Sequence, residues 1–145
     1  MKLNILLSCF LILIACQKNN YLENEKDSLS KIERTESSRR GSYTIGLNKD
    51  VIYLIQHEND TLNKRNVKNE WREINNLMNG ISLSKIEEIK SPSQSFMRDG
   101  AAATSIKFDT KDSIFSTNKY DKGNPAIDLK KLDDYLTKLS ESLSK

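Results

Sequence analysis

An α+β fold is what the sequence predicts for residues 42–145, a small antiparallel sheet of about four strands with a central helix and a C-terminal amphipathic helix packed on it. Three observations predict it: two strand-length apolar runs separated by a turn, a helical spacing of apolar residues around Trp71, and a leucine stripe near the C-terminus.

Residues 43–47 (Tyr-Thr-Ile-Gly-Leu) alternate with period two, and after the turn-prone Asn48-Lys49-Asp50 residues 51–55 (Val-Ile-Tyr-Leu-Ile) form a run apolar on both faces. Together they predict a hairpin whose second strand is central. Asn59-Asp60 marks the next turn. Val67, Trp71, Ile74, Leu77 and Met78 then recur at helical spacing, Trp71 is the expected core anchor, and Asn79-Gly80 is the stop signal. Ser84-Lys85-Ile86-Glu87 fits a capping box ahead of Ile89 and Pro92, which predicts a second short helix or turn.

Residues 91–100 read as a loop closed by Asp99-Gly100. Thr104, Ile106 and Phe108 alternate as strand residues within 101–108, residues 109–112 form a hairpin turn, and 113–117 return as a strand. Asn124 is an N-cap candidate, Pro125 suits a first helical position, and Ile127, Leu129, Leu132, Leu136, Leu139 and Leu143 trace one apolar stripe. The lysines at 130, 131 and 138 suggest a membrane surface or a partner helix, but Asp128, Asp133, Asp134 and Glu141 balance them, so this helix is expected to pack on the sheet.

The N-terminal segment follows different rules. Met1-Lys2-Leu3-Asn4 is a short positive start, and residues 5–15 are apolar apart from Ser8 and the small Cys9. A bilayer crossing needs roughly 20 apolar residues, so this run is read as a cleaved signal and not a retained span. Leu13-Ile14-Ala15-Cys16 resembles the lipobox of bacterial lipoproteins. That resemblance implies cleavage between Ala15 and Cys16, conversion of the Cys16 thiol to a diacylglyceryl thioether, and acylation of the new amino group by a palmitate-like chain. Several acyl chains on one residue make release from a membrane very slow.

By the same resemblance, to lipoproteins of Gram-negative bacteria, Gln17 in place of an Asp favours the outer membrane over the inner, with the protein facing the periplasm or the surface. Residues 17–41 are rich in Asn, Glu, Lys, Ser and Arg, with few large apolar residues, and read as a flexible polar tether. The expected organisation is a signal at 1–15, a lipidated Cys16 with its tether at 16–41, and one domain at 42–145.

Composition narrows the function. With 23 Lys and Arg against 20 Asp and Glu, the formal charge of +3 is spread over both signs, and no nucleic-acid partner is expected. Of the two cysteines, Cys9 leaves with the signal and Cys16 is consumed by lipid, so neither a disulfide framework nor a thiol nucleophile is expected. His57 is the single histidine; it sits beside Glu58 and Asp60 but no activated serine accompanies it, and it reads as a surface residue at a hairpin end.

One histidine without free cysteine excludes the usual zinc sets, and neither a calcium loop nor a glycine-rich phosphate loop appears. Glu87-Glu88 and Asp133-Asp134 are adjacent pairs whose side chains diverge on a helix. No catalytic residue, metal ligand or cofactor is therefore expected, and the ligand-binding residues are not identified.

Trp71, Ser91-Pro92-Ser93 and Asp99-Gly100-Ala101, followed by Phe115, Asp121, Gly123-Asn124-Pro125 and a closing helix, resemble a group of small envelope proteins of unknown function. The order of elements is also similar to emfourin, a small protein inhibitor of thermolysin-like metalloproteases. The resulting expectation is a non-catalytic, lipid-anchored envelope module that binds or supports something, on a patch near Tyr53 or Tyr120. The alternative is a lipid-anchored metalloprotease inhibitor acting through the polar loop of residues 91–98, which includes Ser91, Pro92, Phe96 and Arg98.

Overall fold

The computed structural model describes residues 29–57, 60–65, 67–98 and 101–144. The predicted signal, Ala15, Cys16 and residues 17–28 of the predicted tether lie outside the described residues, as do Glu58, Asn59, Asp99 and Gly100.

The described chain is mixed helix and sheet. Four strands, β1 (Leu29–Ser38), β2 (Gly41–Asn48), β3 (Val51–His57) and β4 (Asp60–Arg65), run as an antiparallel meander. Helix α1 (Lys68–Leu77) and two 3₁₀ turns, Leu83–Glu88 and Ser95–Met97, lead to β5 (Ala103–Thr110). Strands β6 (Ile114–Ser116) and β7 (Tyr120–Asp121) both pair with β5, and a 3₁₀ turn Ile127–Leu129 opens helix α2 (Lys130–Leu143). The sheet order is β4-β3-β2-β1-β5-β6, with β7 also on β5, so seven strands stand where about four were expected.

The largest difference from the sequence reading is β1. Residues 29–38, assigned to the tether, form a strand hydrogen-bonded on both sides, to β2 and to β5. Its inward positions are Ile32, Arg34 and Glu36, opposite Leu47, Ile45 and Tyr43 on one side and Phe108, Ile106 and Thr104 on the other. Two of these three are charged, which removes the apolar alternation that marks a half-buried strand. The fold therefore begins by Leu29 and not at Ser42.

One face of the sheet carries the core. Ile32, Ile45, Leu47, Ile52, Leu54, Ile106 and Phe108 meet Trp71, Ile74 and Met78 of the α1 region and Leu129, Leu132 and Leu136 of the α2 region. Trp71 is buried as expected, and Gly80, with φ of 87°, turns the chain after α1. Ser84 caps nothing; Leu83–Glu88 is a 3₁₀ turn that buries Leu83 and Ile86. Asn124 does not cap α2 either, since its amide donates to Ser93 Oγ at 2.8 Å, and Ile127 is exposed, leaving the buried stripe to start at Leu129.

The other sheet face is polar. Lys31, Glu33, Lys107 and Asp109 alternate as ion pairs of 2.9–3.3 Å across β1 and β5. Tyr53 lies flat over Gly46, where a Cβ would stand 2.1 Å from the ring Cζ, and its hydroxyl donates to Glu33. Only glycine admits this approach of ring to backbone.

Candidate functional site: a cleft over a buried charge network

The inward charges of β1 do not stand alone. Arg34, 1% exposed, donates from Nε to Asp133 Oδ1 at 2.6 Å, and Asp133 on α2 is 2% exposed. The Tyr120 hydroxyl donates to the same Asp133 oxygen at 2.6 Å. Arg34 Nη1 reaches the Tyr43 hydroxyl at 3.3 Å, and that hydroxyl donates to Glu36 Oε2 at 2.7 Å. Lys122 Nζ closes the chain at 2.6 Å from Glu36 Oε1. A continuous path of charge-assisted contacts thus runs from beneath α2 to the end of β1.

The electrostatics follow from this geometry. Burial opposes the Arg34 charge, but the hydrogen bond and charge of Asp133 outweigh it and hold its pKa above the ordinary guanidinium value. Burial, with the Asp133 charge, pushes the Tyr120 phenol well above its usual range; burial and the bond to Glu36 raise Tyr43. The hydrogen bond to Glu36 raises Lys122. Arg34 and Lys122 are therefore cationic and both tyrosines neutral at physiological pH.

Above the outer end of this network lies an open cleft of about 680 Å³, within the roughly 300–1,000 Å³ range of small-molecule sites. The β1–β2 hairpin supplies Glu36, Ser38, Arg40, Ser42 and Tyr43 to one wall. Leu54 and Gln56 come from β3; Thr137, Ser140 and Glu141 of α2, with Ser144 just beyond, form the facing wall, and Lys122 sits at the side. Glu36 is 7% exposed yet lines the cleft, so a desolvated carboxylate forms part of its surface. Gln56 Nε2 donates to Ser144 Oγ at 3.2 Å, tying β3 to the end of the α2 region.

The expected patch near Tyr53 or Tyr120 is not where the cleft forms. Tyr120 is buried in the network, Tyr53 covers Gly46 on the opposite sheet face, and Tyr43 lines the cleft instead. Asp133, expected to balance the helix lysines, is buried and pairs with Arg34 instead, while its neighbour Asp134 pairs with Lys130. Arg34, Glu36 and Lys122 were not singled out from sequence, and the one signal available was a pair of charges two residues apart within β1. His57 ends β3, paired through its backbone with Asp60. Among the described residues no three His, Cys, Asp or Glu side chains are grouped to hold a metal ion.

The loop of residues 91–98 is fastened from below. The Asp121 carboxylate accepts the Ser93 hydroxyl, Ser95 N at 2.9 Å and Phe96 N at 2.6 Å; the Ser93 bond first, with the two backbone bonds, holds its pKa below the usual carboxylate range. Ser91 Oγ also donates to the Ser93 carbonyl. Held this way, the loop presents Met97 at 72% exposure beside a half-buried Phe96.

No family model matches this chain, and no curated protein and no solved structure matches it either.

Proposed function

We propose that this chain is a lipid-anchored binding module of the bacterial cell envelope, held in the membrane through Cys16 and taking a small polar ligand in the cleft between the β1–β2 hairpin and α2. The lipobox Leu13-Ile14-Ala15-Cys16 supports the anchor, and Gln17 supports the outer membrane as its site. The observation that carries the binding reading is Glu36, a nearly buried carboxylate that opens on the cleft and is positioned by Tyr43 and Lys122. Buried charge does not serve stability well, whereas polar groups converging on a cleft serve recognition.

Amide chemical shifts of the ¹⁵N-labelled protein test this reading on addition of the small-molecule fraction of an envelope extract. Shifts clustered at Ser38, Ser42, Gln56 and Ser140 are expected; cleft amides that never move refute it. Labelled fatty acid should enter the wild type and not Cys16→Ala, and label in the variant refutes the anchor.

A second reading, a lipid-anchored inhibitor of a metalloprotease, draws on the Asp121-fastened loop, because a pre-organised loop with an exposed apolar tip loses little entropy on docking. Stoichiometric loss of activity of a thermolysin-type protease is its test, and full activity in excess protein eliminates it.

A further inference from the structure

The Glu36 site has an occupant that can leave. Three groups compensate its carboxylate: the Tyr43 hydroxyl at 2.7 Å, Arg34 Nη1 at 3.7 Å and Lys122 Nζ at 2.6 Å. Arg34 is locked in the core by Asp133, and Tyr43 is packed against the core. Lys122 differs. Its side chain is 58% exposed and rises from the turn that follows β7, where Gly123 has φ of 76°. A lysine is a compact point charge on a flexible four-carbon stem, so its head can swing into water without disturbing the sheet. A desolvated carboxylate left without that charge is costly, so whatever displaces Lys122 must itself be cationic.

The exchange sets the rest of the ligand. Once displaced, the Lys122 ammonium is released from Glu36 into a cleft whose lining also includes Arg40. Two cations lining the cleft then call for an anionic group on the same ligand. Ser42 and Gln56 add hydrogen-bonding capacity to the lining, and Glu141 keeps the cleft from favouring a purely anionic compound.

We infer that the cleft takes a zwitterion of the amino-acid or short-peptide class, whose ammonium replaces Lys122 Nζ on Glu36 and whose carboxylate receives the displaced lysine together with Arg40. This rests on the cleft being the binding site, as proposed above, and adds the class of ligand. The cleft volume of about 680 Å³ accommodates more than a single amino acid.

The test uses the full chain, purified in mild detergent, and L-alanyl-L-alanine as probe, followed by calorimetry and amide chemical shifts. The dipeptide is expected to bind saturably in the millimolar range or tighter, and its N-acetyl form about tenfold more weakly or worse, because the hydrogen bond to a charged group is lost. Glu36→Gln should abolish binding. Lys122→Met, an exposed change that leaves the core untouched, should keep the demand for a free ammonium and weaken the preference for the free carboxylate over the amide, Arg40 remaining. Equal binding of the acetylated and free dipeptides overturns the inference, as does an unchanged carboxylate preference in Lys122→Met. Cleft amides that respond to the envelope extract but not to the dipeptide overturn the ligand class and leave the cleft reading standing; silence to both removes both.

Discussion

Removing Asp133 should be among the most damaging single changes in the domain, and the structure says by how much. Arg34 and Asp133 are 1% and 2% exposed and meet at 2.6 Å, so Asp133→Ala leaves a buried guanidinium without its nearest carboxylate, Glu36 standing at 3.7 Å. Deleting one partner of a buried pair costs about 3–5 kcal/mol, a large part of the roughly 5–15 kcal/mol that holds a domain of this size. Urea unfolding of residues 17–145, followed by tryptophan fluorescence from the buried Trp71, reads the effect. With a slope of about 1–3 kcal/mol/M, the midpoint should fall by about 1–5 M.

The informative partner is the triple variant Arg34→Met, Asp133→Leu, Tyr120→Phe, which replaces the charges and the phenol that donates to Asp133 by apolar groups. It should recover most of the loss, because well-packed hydrophobic replacement of a buried ion pair is commonly neutral or stabilising by about 1–4 kcal/mol. Losses that add up across the three sites would refute the argument that the cost comes from an orphaned charge. So would an Asp133→Ala variant within about 1 kcal/mol of wild type.

Other parts of the molecule give sharp outcomes too. Gly46→Ala should cost about 1–3 kcal/mol by forcing a methyl into the Tyr53 ring, and in a Tyr53→Ala background most of that penalty should vanish, which a double-mutant cycle by urea unfolding measures. Thr117→Val should cost about 1–3 kcal/mol, since Ile106 N donates to Thr117 Oγ1 at 3.0 Å in the buried break between β6 and β7; an unchanged unfolding midpoint would contradict that bond. Asp121→Ala frees two backbone donors and the Ser93 hydroxyl, so limited proteolysis should cut residues 93–98 faster while the unfolding midpoint moves little. On the polar face, burial raises both carboxyl groups, but hydrogen bonds from Tyr53, Lys107 and Lys31 outweigh it and hold the Glu33 pKa below its ordinary 4.5, while bonds from Lys31 and Lys107 outweigh it and hold Asp109 below 3.8. A depressed folded-state pKa stabilises above the unfolded value and is lost as pH falls through the folded one. The Glu33→Gln, Asp109→Asn variant should therefore lose less stability than wild type between pH 5 and 2, and parallel acid limbs would refute the assignment.

What the sequence allowed to be read divides along hydrophobic pattern. The β2–β3 hairpin and the α1 helix carry apolar residues at the period of their element, and their positions follow from it. β1 is the longest strand and sits inside the sheet, yet its inward positions include Arg34 and Glu36, so its pattern is that of a solvated linker. β4 fails for a different reason, since residues 61–65 are exposed and an edge strand needs no apolar face. The candidate site hid behind the same feature as β1. Asp133 looks like any other acid on an amphipathic helix until Arg34, ninety-nine residues away in sequence, is placed beneath it. A long-range pairing of that kind leaves no local spacing to detect.

The same feature that concealed β1 gives the reason to look for function there. Apolar residues at positions 34 and 133 would pack this sheet at least as well as the ion pair does, so stability alone does not explain the charges. Their geometry does something apolar residues cannot. Arg34 donates at once to Asp133 and to the Tyr43 hydroxyl, and that hydroxyl spends its own proton on Glu36. The orientation of the Glu36 carboxylate at the cleft is thereby set from the core, with Lys122 alone on the solvent side. Polar groups held by a rigid inner shell are what precise recognition requires. The triple variant separates the two roles: it should remain folded and yet lose dipeptide binding even though Glu36 and Lys122 are both intact. Full binding in that variant would mean that Glu36 needs no support from the core, and the network would then be left without a role in recognition.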